Sequence, residues 1–123
     1  MVLIDTSILI EHVRTSNKSA STFYSSNEKE EIGIAMMTAW EFLIGKNHRN
    51  ENLIETLLQQ LHIFDWNQSM MRKAVEIYID LKGKNQLVST PDIIIAATAV
   101  TKGLPLATLN KKHFKRVERL QLI

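Results

Sequence analysis

The chain has 123 residues, 45% apolar and 23% charged, with no cysteine. That is enough for one continuous core in the ordinary globular balance, and it excludes disulfides and thiolate metal sites. The formal net charge is +2 and the pI about 9.0, which permits an anionic partner without demanding one.

The apolar start ends at Asp5, too short for a signal peptide, and no later run is long enough to span a bilayer. A cytoplasmic protein without a membrane partner is therefore expected. Val2-Leu3-Ile4 is a continuous apolar run, the pattern of a strand buried on both faces. A helix is predicted from about Ser7, burying Ile8, Leu9 and Val13. The polar stretch 17–27 is read as a helix anchored by Phe23 and Tyr24. Ile32-Gly33-Ile34-Ala35 reads as a second strand, and Thr38 to Gly45 as a short helix stopped by the glycine. Leu53, Ile54, Leu57, Leu58 and Leu61 recur at helical spacing. His62 to Trp66 reads as a third strand. Met71, Ala74, Val75, Tyr78 and Leu81 mark another helix, with Gly83 placed just past its end.

Thr90-Pro91-Asp92 opens the next helix, with proline at the favoured first position. Ile93, Ile94, Ala96, Ala97 and Val100 make it apolar on most sides, so it is expected to be central. Gly103 ends it, and Leu104 to Thr108 gives a fourth strand. A short helix near Asn110 to Val117 and a last strand at Leu120 to Ile123 follow. Strands alternating with helices predict a single α/β domain over residues 1–123 with a mostly parallel sheet. Trp40, Phe42, Tyr78 and the Met70-Met71 pair are core candidates.

In such a sheet, ligands bind beyond the carboxyl ends of the strands. Asp5 follows the first strand, and Glu41 lies in the first turn of the helix after the second. Asp92 opens the central helix, and Asn110 follows the fourth strand. All four can meet at one sheet edge. Carboxylates about 4 Å apart repel by roughly 4 kcal/mol at an effective dielectric near 20, and a proton or a cation relieves this. An all-oxygen site suits Mg²⁺ or Mn²⁺, and a cation held by a few carboxylates is a phosphoryl-transfer device. Each acid also has a local use. Asp5 can cap the first helix, Glu41 can close a capping box with Thr38, and Asp92 suits a helix dipole. The hydroxyls of Thr6, Ser7 and Thr108 border the site and can hold its carboxylates or cap helices. Asp65 is read as a turn residue. A phosphoacceptor module, with Asp65 as the acceptor, is disfavoured because Asp5 is followed by Thr6 rather than a second acid.

Four blocks carry a family resemblance. They are Met1-Val2-Leu3-Ile4-Asp5-Thr6-Ser7-Ile8-Leu9-Ile10, Thr38-Ala39-Trp40-Glu41-Phe42-Leu43-Ile44-Gly45, the run from Asp92 to Ala99, and Leu106-Ala107-Thr108-Leu109-Asn110 with Phe114 beyond. In this order and spacing they resemble the PIN-domain family, in particular VapC-type toxins, over essentially the whole chain. The resemblance implies a five-stranded sheet in the order 3-2-1-4-5 with helices on both faces. It implies an Mg²⁺- or Mn²⁺-dependent endoribonuclease that hydrolyses RNA by a metal-activated water, with Asp5, Glu41 and Asp92 as metal ligands. A homodimer and a cognate inhibitory antitoxin are implied as well; toxins of this kind can cut one tRNA or one ribosomal loop, and the sequence does not name the RNA. The sequence departs at one point: many members carry a further aspartate where Asn110 or His113 stands. Asn110 can still orient water or substrate, and the loss puts a second metal in doubt. The alternative it raises is a weak or inactive PIN domain that binds RNA or protein.

Lys46, His48 and Arg49 follow the Glu41 helix, and Lys111, Lys112, Lys115, Arg116 and Arg119 follow Asn110. Lys46, Arg49, Lys111, Lys112 and Arg116 are candidate RNA contacts, which would make binding salt-dependent. His113 is either an exposed histidine or an aid to RNA contact and proton transfer. His12, His48 and His62 receive no role.

Overall fold

β1 (Val2–Ile4) lies in the middle of the sheet because each of its side chains is apolar and needs cover. In this computed structural model, which describes Met1–Ile123, Val2 and Ile4 enter one core and Leu3 the other. β2 (Ile32–Ala35) runs parallel to β1, with Val2 opposite Ile32 and Ile4 opposite Ile34. β3 (His62–Phe64) extends the sheet beyond β2, and β4 (Leu106–Ala107) pairs with the other side of β1. The order is β3-β2-β1-β4, all parallel. The expected fifth strand takes its place beside β4 but shrinks to one parallel bridge, Leu106 to Leu122. β4 has only two residues, and both bonds to this segment come from Leu106. Its N–H donates to Gln121 at 2.8 Å, and its carbonyl accepts from Ile123 at 3.1 Å.

Seven helices cover the two faces. α1 (Thr6–Arg14), α2 (Thr22–Asn27) and α4 (Glu51–Gln60) pack one face with Ala39 and Phe42 of α3 (Met36–Ile44). α5 (Gln68–Gly83), α6 (Thr90–Lys102) and α7 (Lys111–Phe114) pack the other. Five residues of α6, Ile95 to Ala99, are buried in succession, as its nearly unbroken apolar run requires. Gly103 ends α6 in the left-handed region at φ 65°.

Several boundaries differ from the sequence expectation for identifiable reasons. α3 starts at Met36, directly off β2, so its N-cap is Ala35 and Thr38 lies inside the helix. α5 starts earlier, because Asn67 Oδ1 caps it by accepting from the Met70 N–H at 3.0 Å. It continues through Gly83, and the left-handed residue is Asn85, at φ 55°. Ser89 caps α6, so Pro91 falls second in the helix. β3 stops at Phe64, leaving Asp65 exposed in the irregular connection to the next helix rather than in a turn. Phe23 anchors α2 but Tyr24 is exposed. Among the core candidates Phe42 and Met70 are buried, whereas Trp40, Met71 and Tyr78 are exposed.

Candidate active site

Asp5 leaves the carboxyl end of the central strand and is only 2% exposed. Both carboxylate oxygens are engaged: Ser7 Oγ donates to Oδ1 and Thr108 Oγ1 to Oδ2, each at 2.5 Å. The two hydroxyls are themselves fixed by β4's exit loop, since Ser7 Oγ accepts from the Leu109 N–H and Thr108 Oγ1 from the Asn110 N–H. Asp5 occupies the N-cap position of α1 without a side-chain cap hydrogen bond, and its oxygens go instead to the hydroxyls of Ser7 and Thr108. Burial pushes its pKa above the ordinary carboxylate value. The Ser7 and Thr108 hydroxyls, and more weakly the nearby Ile8 N–H, pull it down, and the negative charge of Asp92 adds to the rise.

Asp92 sits in the first turn of α6 and is largely covered, with a side-chain exposure of 19%. His113 of α7 faces it, Nδ1 to Oδ2 at 3.7 Å. The sequence left His113 open between a surface and a site residue; the structure puts it beside Asp92. Glu41 lies in the second turn of α3, not the first, and accepts a hydrogen bond from Thr6 Oγ1 at 2.6 Å. The capping box with Thr38 is absent, and Thr38 Oγ1 is buried without a partner. The early start of α3 causes both: Glu41 is too far from the N-cap to reach it, and points to α1 instead. Asn110 precedes α7 but does not cap it, so its exposed side-chain amide is free.

Asp5 and Asp92 thus share one electrostatic environment, and Thr6 ties Glu41 to the residue after Asp5. No three Asp, Glu or His side chains stand close enough to form a finished metal cage. The donor chemistry nonetheless fits a hard cation: only carboxylate, hydroxyl and amide oxygens are at hand, and a desolvated acid lies beside a second acid. A divalent ion would relieve that repulsion.

The basic residues divide. Lys46 is paired with Glu55 at 2.7 Å, and Arg116 donates to the Gln86 and Leu87 carbonyls, which pins the loop before α6. Arg49, Lys111 and Lys112 are exposed and join no ion pair. His12, given no role, is buried, with Nδ1 2.6 Å from Ser21 Oγ and its ring against Phe23. Two surface features escaped the sequence. One is an apolar hollow lined by Met36, Met37, Trp40, Trp66 and Ile94. The other is a groove beside Glu41 that includes Arg14 and Asn47. Only the exposed side of helical periodicity could have hinted at either.

Residues 2–120 match the family described as PIN domain. "Ribonuclease VapC1" of Methanocaldococcus jannaschii is 31% identical over 125 residues, covering 98% of this chain and 84% of the relative. A DNA-bound VapBC from Salmonella typhimurium superposes with a TM-score of 0.87 at 22% identity, covering 100% of this chain and 98% of that one. A toxin-antitoxin complex from Klebsiella pneumoniae does so with a TM-score of 0.79 at 23% identity, covering 100% and 96%.

Proposed function

The chain belongs to the PIN-domain family, in its VapC-type branch, and from that premise we propose that it is a divalent-metal-dependent endoribonuclease toxin restrained by a cognate antitoxin. The observation that carries the reading is Asp5: a buried carboxylate, gripped by two hydroxyls, with the charge of Asp92 against it. Folding energy is spent on keeping an acid there, which a structural role does not require. The relative from Methanocaldococcus jannaschii is a ribonuclease, and the similar folds come from a VapBC and a toxin-antitoxin complex.

Asp5, Asp92 and Glu41 would hold Mg²⁺ or Mn²⁺. The bound cation supplies neutralisation of the phosphate and a more acidic water. The chain's own groups do the rest. Ser7 and Thr108 fix the plane of the Asp5 carboxylate, and Thr6 holds one oxygen of Glu41. The free amide of Asn110 orients water or a phosphate oxygen, and His113, 3.7 Å from Asp92, would pass a proton to the leaving oxygen. Arg49, Lys111 and Lys112 bind flanking phosphates, so affinity falls with salt. The substrate is a structured RNA such as a tRNA or ribosomal loop, where single-stranded bases are accessible.

A homodimer would close the hollow of Met36, Met37, Trp40, Trp66 and Ile94, where Trp40 is 57% exposed. No helix is long and apolar enough to cross a membrane, and an RNA substrate suits a cytoplasmic enzyme.

The test is digestion of total cellular RNA by the purified chain with Mg²⁺, Mn²⁺ or EDTA. Discrete fragments that need the metal and vanish in Asp92→Asn are expected. Metal binding without any cleavage would favour the binding-only domain, which the absence of an acid at positions 110 and 113 motivates.

A further inference from the structure

A groove of about 300 Å³ opens beside Glu41, between α1, α3 and α4, the lower end of the size range for small-ligand pockets. Its floor is apolar, built by Ile10, Phe42 and Ile54. Its rim is polar, with Arg14, Glu41, Asn47 and Asn50. Arg14 is exposed and joins no ion pair. Asn47 Oδ1 accepts from the N–H groups of Arg49 at 2.9 Å and Asn50 at 3.2 Å, which locks the turn after α3. Asn50 Oδ1 returns the contact by accepting from the Asn47 N–H at 2.8 Å. The Asn47 amide nitrogen donates to no protein atom, so a fixed side chain offers two unused donors.

We propose that this groove is a nucleotide subsite that seats one unstacked base of single-stranded RNA beside the bond being cut. The inference rests on the nuclease reading and adds where the strand runs. Glu41 lines the groove and is bonded to Thr6, the residue after Asp5, so a strand placed at the acids runs past the mouth of the groove. The acids repel phosphate, and a strand leaving them needs cations; Arg14 stands at the rim and Arg49 on the same turn. Proteins read splayed bases by stacking them on aromatic rings or Arg guanidinium planes and hydrogen-bonding their edges; Arg14 supplies such a plane, and the Asn47 amide matches a base carbonyl. The other hollow, lined by Met36, Met37, Trp40, Trp66 and Ile94, has no charged residue in its lining to meet a phosphate and suits protein instead.

The test uses the Asp92→Asn chain, which retains binding, and a random pool of single-stranded RNA carrying 4-thiouridine. Photocrosslinks are expected on the segments around Ile10–Arg14 and Asn47–Ile54. Ile10→Trp, which fills the floor, and Arg14→Gln should each weaken RNA binding about tenfold, the scale of one lost charged or packed contact, with melting unchanged. In the active chain, Asn47→Ser keeps an acceptor for the turn but is too short to reach the groove. It should alter which base is preferred beside the cut.

Crosslinks confined to other surfaces, or variants that bind and cut the pool like the parent, overturn the subsite. In that case cutting by the parent leaves the nuclease standing and the groove becomes a protein contact. A parent chain that leaves total cellular RNA intact with either Mg²⁺ or Mn²⁺ removes the nuclease reading and the subsite with it.

Discussion

Asp5 holds a charge where its surroundings oppose it, and that has a cost visible in stability. Its pKa in the folded chain lies above the unfolded value of 3.8, so the folded state holds the proton more tightly. The stability this gives is complete below the unfolded value and is lost as pH rises through the raised one. Without divalent ions, Asp5→Asn should therefore melt above the parent at neutral pH, with the gap closing in acid. The same variant should cut RNA about 100-fold or more slowly, the scale of losing a preorganised electrostatic group. Mg²⁺ should raise the melting temperature of the parent and not of the variant. Calorimetry across pH, with and without the ion, checks the two melting outcomes and an RNA cleavage time course the third, and a variant that melts lower at neutral pH would contradict the electrostatic account. A second residue tests burial alone. Thr38 Oγ1 is buried without a partner, so Thr38→Val should stabilise the chain by about 1 kcal/mol, measured by denaturant unfolding.

Between elements, the tightest demand is where β2 passes β3. A Cβ on Gly33 would lie 2.7 Å from a ring carbon of Phe64 and 3.1 Å from Met1 Sδ. Gly33→Ala should cost about 1 to 3 kcal/mol through forced displacement of the ring, and Phe64→Leu in the same chain should return part of it. Between α1 and α2, His12 is buried against Phe23 and bonded to Ser21, the residue that also caps α2. Burial, and secondarily Lys18, lower its pKa from 6.5, while Glu11 opposes this. The folded chain thus favours the neutral ring. Its contribution to stability is present above about the unfolded value and is lost as pH falls towards the lowered one. Melting between pH 7 and 5 should drop more steeply in the parent than in His12→Gln; equal slopes would remove His12 as the cause. These contacts also show where sequence reading stops. The apolar runs of β1 and α6 announced a buried strand and a buried helix, and Asp5 followed from the strand that delivers it. The direction of Glu41 did not, because it depends on α3 starting without a loop, a junction no local residue signals. The fifth strand was placed correctly and overlong, since the two-residue β4 limits what can pair with it.

At the scale of the whole molecule, helical spacing identified apolar faces but not which of them find cover inside one chain. Trp40 and Tyr78 were assigned to the core and lie at the surface for that reason. If a second copy covers the hollow at Trp40 and Trp66, Trp40→Glu should yield a monomer by analytical ultracentrifugation at concentrations where the parent is dimeric. A parent that is monomeric throughout would dismiss the homodimer.

The hydrogen bond from Thr108 to Asp5 joins residues 103 positions apart. Asp5 precedes Asp92, Thr108 and Asn110 in synthesis. A growing polypeptide therefore emerges from the ribosome with the first of these acids in place and nothing to aim it. The same bond that orients the acid sets a clock: the cluster is assembled only once Asn110 has been made and has cleared the ribosome. Until then, the acid at the end of β1 lacks the Thr108 hydroxyl that holds it.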